Sequence, residues 1–136
     1  MPNTNTNTNI NSILESVKLK YAESADQSAA FTKDHMCYTC TIKRNNRQLT
    51  TPFICNPKFT RVTVSEILYC LFSDAGCYES AFNVDDFLRE FGYTDSLENV
   101  RKGEKIYKQC GKIKAALERL FTAEEITALQ DYFSEY

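Results

Sequence analysis

The apolar side chains of this chain change their spacing after residue 55, and that change restricts the fold more than any motif does. Between residues 36 and 55 they alternate, and from residue 62 onward they recur at three- and four-residue intervals. Alternation sorts side chains onto the two faces of a strand, whereas the longer interval gathers them on one side of a helix. Met36, Tyr38, Cys40 and Ile42 alternate with Cys37, Thr39, Thr41 and Lys43; Leu49, Thr51, Phe53 and Cys55 then share a face. Asn45-Asn46 lies between the two runs and predicts a tight turn, because asparagine tolerates positive φ. Pro52 has no N–H for a ladder, so the returning strand is expected at an open edge. Asn56-Pro57 ends the hairpin.

The helical half is punctuated by caps. Thr63-Val64-Ser65-Glu66 has capping-box spacing, and Ile67, Leu68, Leu71, Phe72 and Ala75 follow as a stripe. Ser73-Asp74 and Gly76 are expected to end that helix, which leaves Cys77 in a loop. Asn83 caps a short helix with Val84, Phe87, Leu88 and Phe91 inside; Gly92 stops it in a left-handed turn, and Tyr93 packs after it. Asp95 or Ser96 starts a long helix to about Leu120, with Gly103 and Gly111 weakening its interior. Thr122 to Glu125 repeats the capping pattern before Ile126, Leu129 and Phe133.

Upstream, Ile10, Ile13, Leu14, Val17 and Tyr21 fall at helical spacing, which predicts a first helix over about 10–22. Residues 1–9 carry nothing to bury and are expected to be a disordered tail. Residues 10–136 are then one α+β domain: an N-terminal helix, an antiparallel β-hairpin, then a bundle of about four helices. A lone hairpin is barely stable, so this one must pack on the helices or recruit a further strand.

Composition narrows the function. Sixteen basic residues against eighteen acidic give a net charge of −2 with the signs interspersed. That argues against both a strong nucleic-acid footprint and a dense acidic field. No apolar run approaches the ~18 residues needed to span a bilayer, and no secretory signal opens the sequence. The expected setting is therefore a cytosol, where the six cysteines stay reduced.

Catalytic machinery is hard to assemble. A single histidine serves the chain, so any Ser-His or Cys-His site must use His35. No nucleophile elbow, P-loop or zincin motif is present. Asp85-Asp86 and Glu124-Glu125 sit in first helical turns, where carboxylates complement the dipole. No enzyme and no cofactor are expected. His35, Cys37, Cys40 and Cys55 are the only metal candidates. They supply the four ligands zinc takes, but Cys37 and Cys40 point to opposite faces of an extended strand. A thiol redox role is disfavoured too, because this Cys-x-x-Cys precedes no helix. Cys70 and Cys110 read as core residues.

Basic side chains gather twice: Lys43, Arg44 and Arg47 around the hairpin turn, and Arg101, Lys102, Lys105, Lys108, Lys112 and Lys114 along the long helix. The second group could meet nucleic acid. The ordinary explanation is a solvated face, since Glu98 and Glu104 are interspersed.

Four stretches carry a resemblance: Leu68 to Ala75, Phe87 to Tyr93, Asp95-Ser96, and Ile106 to Cys110 with its Tyr-x-x-Cys. Across roughly residues 36–121 the chain resembles a group of small, largely uncharacterised proteins encoded by bacteriophages and prophages. Here the stretch between Ser96 and Tyr107 is a few residues longer than in that pattern. The resemblance implies a phage or mobile-element origin and a bacterial cytoplasm, and it brings no catalytic residues. The expected function is a non-enzymatic interaction protein that inhibits or diverts a host defence component, such as a CRISPR–Cas effector. The hairpin edge is the expected docking site, by strand addition. Tyr38, Tyr78, Tyr136, Arg44, Arg47, Lys105, Lys108 and Lys112 are the candidate binding residues. A nucleic-acid-binding factor using the lysine-rich helix, and a zinc or thiol protein built on Cys37 and Cys40, are the alternatives.

Overall fold

The computed structural model describes residues 10–26, 28, 30–32, 34–55 and 63–135, Cys55 by its backbone alone. The tail 1–9, the turn at Asn56-Pro57 and Tyr136 lie outside the described residues. The elements run α1 (10–15), β1 (Val17–Glu23), β2 (Met36–Arg44), β3 (Arg47–Cys55), α2 (Val64–Ser80), α3 (Val84–Glu90), α4 (Leu97–Leu120) and α5 (Ala123–Ser134). The fold is α+β, with one antiparallel sheet in the order β1-β2-β3.

The expected hairpin is present, with Asn45 at φ 56° in its turn. The first helix differs from its prediction. It stops at residue 15, where the Ser16 amide and hydroxyl close the last turn onto Ser12 and Ile13 carbonyls, and Val17–Glu23 pairs with β2 instead. Val17, Leu19 and Tyr21 satisfy alternation as well as helical spacing, and the hairpin supplied the ladder that chose between them.

Ladder parity follows from one bond. Ser24 N–H donates to Cys37 O at 2.9 Å, so Ala22, Lys20 and Lys18 also turn their backbone groups toward β2. Val17, Leu19, Tyr21 and Glu23 turn theirs outward. The same count through β2 leaves Gln48, Thr50, Pro52 and Ile54 facing the outer edge of β3.

The two sheet faces enter separate cores. Val17, Cys40, Ile42 and Phe53 pack with Ile67, Leu71, Ile113, Leu117 and Leu129 of the helices. Cys37 and Ile54, of opposite parity, pack with Phe87, Leu88, Tyr93, Ile106 and Cys110. This second core corrects the predicted end of α2. The helix runs through Asp74 and Gly76 to Ser80, with Ala81 as its cap. Tyr78 and the half-buried Cys77 pack on the second core, so Cys77 is helical and not in a loop. Packing overrides a mid-helix glycine, which costs only ~1 kcal/mol.

α4 is unbroken from its Ser96 cap to Leu120. Both of its glycines are there for close approach. A Cβ on Gly103 would stand 2.4 Å from Leu88 Cδ2, and one on Gly111 would stand 2.8 Å from the Tyr78 ring. Gly92 adopts φ 78° after α3, and α5 opens with a complete Thr122–Glu125 capping box.

Candidate functional site

A cleft of about 730 Å³ lies at the junction of both cores, within the ~300–1,000 Å³ typical of ligand sites. One wall is α2, which contributes Tyr69, Cys70, Ser73, Asp74 and Cys77. Helical geometry puts these on adjoining faces, one turn apart. The opposite wall is the turn Phe91-Gly92-Tyr93 with Asn99 and Lys102 of α4. Ile54 of β3 and the loop residues Phe31, Thr32 and His35 complete it.

The mouth is aromatic. Tyr69 and Phe91 are 39% and 37% exposed, and Phe31 lies 6.1 Å from Phe91, ring to ring. Tyr93 hydroxyl donates to the Phe31 carbonyl at 3.3 Å, which fastens Phe31 across the second core. His35 packs edge-on to Phe31, and its Nδ1 is 2.7 Å from Thr32 Oγ1. The Asp74 carboxylate is buried and accepts the Ile54 N–H at 2.9 Å.

His35 and Cys77 therefore line one cleft, the residue types of a thiol hydrolase. The electrostatics oppose that chemistry. Burial pushes the Cys77 thiol up, and the Asp74 and Glu90 carboxylates push it further, whereas a nucleophilic cysteine needs an electropositive setting. Cys110 is pushed well above the usual thiol range, by burial first and by Asp74 next.

Cys37 and Cys40 lie in different cores, and both are buried. Burial raises Cys37 and takes Cys40 up to about 12. The side chain of Cys55 lies outside the described residues. Among the described residues no group of three or more His, Cys, Asp or Glu could hold a metal ion.

The other predicted binding residues are dispersed, and several are already engaged. Arg44 points into the fold. Its guanidinium forks onto Glu125 at 2.8 and 2.5 Å, reaches Leu120 O and Ser16 Oγ, and lies 4.9 Å from the Phe121 ring centre. Arg47 donates to the Arg119 carbonyl. Lys105 reaches Asp26 at 2.5 Å and Ser28 at 2.6 Å, and those bonds hold the Asp26 carboxyl well below the usual range. Lys108 and Lys112 are exposed. Tyr38 stacks on Phe53 at 5.3 Å, and Tyr78 lies 4.7 Å from Tyr107. Both are half-buried packing residues.

β3 is an edge strand, as Pro52 led one to expect, and among the described residues its outer row is interrupted. β1 covers β2, Pro52 removes one outward donor of β3, and Asp74 takes another at Ile54. Apart from His35, the lining of the cleft does not stand out as functional in the sequence. One signal is legible: Asp74 falls three residues after Leu71 and seven after Ile67, so a carboxylate sits on the inward stripe of α2. Phe31 and Tyr69 give no such signal.

No helix among the described residues is long and apolar enough to cross a membrane. The chain matches no protein-family model, no curated protein and no solved structure.

Proposed function

We propose that this protein is a non-enzymatic interaction protein, and that its cleft seats an apolar or aromatic side chain of a partner polypeptide. The carrying observation is the mouth formed by Phe31, Tyr69 and Phe91, with two of its three rings more than a third exposed. Aromatic anchors in a concavity are the usual centre of a protein–protein interface. Burial and the Asp74 and Glu90 carboxylates raise the Cys77 thiol in the cleft, which favours binding over turnover. The nucleic-acid alternative draws less support, because Lys105 and Arg44 are already paired with carboxylates. The zinc or thiol alternative is weakened by the placement of Cys37 and Cys40 in separate cores.

The resemblance to phage proteins makes a bacterial defence component the first partner to test, a CRISPR–Cas effector above all. The test expresses the chain in a bacterium whose CRISPR–Cas system targets an infecting phage. Restored plating is expected, lost in Tyr69→Asp and Phe91→Asp variants that keep the native circular dichroism. A defence protein should co-purify at near-equal stoichiometry with the wild type and not with the variants. Failure to restore plating, or equal activity of the cleft variants, would count against the proposal.

A further inference from the structure

We infer a second docking site, independent of the cleft: the outer edge of β1, which adds an extended acidic segment of a partner protein as a fourth strand. Val17, Leu19, Tyr21 and Glu23 direct their backbone N–H and C=O away from the sheet; Val17 is buried, and among the described residues no strand pairs with the outward groups of Leu19, Tyr21 and Glu23. The opposite edge differs in kind. There Pro52 lacks a donor, Ile54 N–H is held by Asp74, and α4 residues Lys112 and Ala116 lie alongside Leu49 to Pro52. Among the described residues, Leu19 to Glu23 of β1 is the open row for strand addition.

The side chains state what kind of strand fits. Lys18 and Lys20 project from β1 on one face, and Lys43 stands directly opposite Lys18 on β2. All three are exposed, and among the described residues none is in an ion pair. Like charges placed directly across a ladder oppose folding, so the fold carries this patch at a cost. Lysine on an edge strand also discourages self-pairing. In the register that uses the whole of β1, a second copy would set Lys20 against its own counterpart. An incoming strand with carboxylates at alternate positions instead neutralises Lys18 and Lys20. Its other side chains meet Leu19 and Tyr21, and Tyr21 is 45% exposed. Nucleic acid would satisfy the lysines but leave the outward amides and carbonyls without partners.

The probe is a labelled peptide of alternating glutamate and valine, titrated into the full chain and read by fluorescence anisotropy. Saturable binding is expected, weakened about tenfold by Lys18→Glu with Lys20→Glu. N-methylation along one edge of the peptide should abolish it, and along the other edge should not. Amide exchange should slow at Leu19, Tyr21 and Glu23. The Phe91→Asp cleft variant should bind the peptide as the wild type does, which separates this site from the cleft. The inference is overturned by absence of binding at millimolar peptide, by indifference to N-methylation or charge reversal, or by exchange protection in the cleft instead. Displacement of the peptide by a short single-stranded oligonucleotide, or pairing of two chains through β1, would overturn it as well.

Discussion

Asp74 Oδ2 accepts the backbone N–H of Ile54 at 2.9 Å, so a helix supplies the partner for a donor that β3 turns away from its own sheet. The carboxylate is buried at 4% exposure, and buried donors left without acceptors are costly. Asp74→Ala should lower stability by about 2 kcal/mol, and Asp74→Asn, which keeps an acceptor oxygen, by about half as much. Urea denaturation midpoints measure both. Equal stability of Asp74→Ala and the wild type would show that the bond contributes nothing.

The helical glycines should respond to alanine with opposite signs. Nothing lies within 4 Å of the place a Cβ on Gly76 would take, and the residue is exposed. Gly76→Ala should therefore stabilise by up to about 1 kcal/mol, the propensity difference. At Gly103 the added carbon would meet Leu88 and Tyr93 at 2.4–2.7 Å. Gly103→Ala should destabilise by about 1–3 kcal/mol despite its better propensity. Gly111→Ala should fall between the two, because only the half-buried Tyr78 ring must give. Thermal melts of the three variants test the ordering.

The Arg44–Glu125 pair should dominate acid unfolding of the C-terminal helix. Arg44 hydrogen bonding holds the Glu125 carboxyl at about 2, against an ordinary 4.5. A carboxyl lowered on folding binds fewer protons in the native state, so stability is full above about 4.5 and is lost as pH falls toward 2. Glu125→Gln should flatten that limb of the stability–pH curve. Arg44→Lys should cost about 2 kcal/mol at neutral pH, since an ammonium cannot fork onto both carboxylate oxygens and also reach Leu120 O and Ser16 Oγ.

On the alkaline side the sign comes from the thiols. Burial raises Cys40 from 9.0 to about 12, so between those values the folded chain holds a proton that the unfolded chain releases. Stability should decline as pH rises from 9 toward 12, and Cys40→Ala should remove part of the slope. Among the cysteines whose side chains are described, a thiol reagent at pH 8 should modify the half-buried Cys77 first. It should reach Cys40 and Cys110 only at the rate of unfolding, which mass spectrometry with time resolves.

Local sequence was enough for the hairpin, the starts of α2 to α5 and the two-sided fate of Cys37 and Cys40. Each depends on residues within a few positions of one another: Asn45 at a turn, Thr63, Asn83, Ser96 and Thr122 as caps, alternation along one strand. Folding in three dimensions was needed to make Val17–Glu23 a strand, to carry α2 past Gly76, and to place the cleft. Those outcomes rest on partners distant along the chain, such as Asp74 with Ile54 twenty residues away and Tyr93 with Phe31 sixty-two away. Local spacing left Val17, Leu19 and Tyr21 compatible with either element, and the ladder offered by β2 settled them. Arg44 and Lys105 read as surface charges for the same reason: Glu125 and Asp26, which engage them, come near only when the chain has folded.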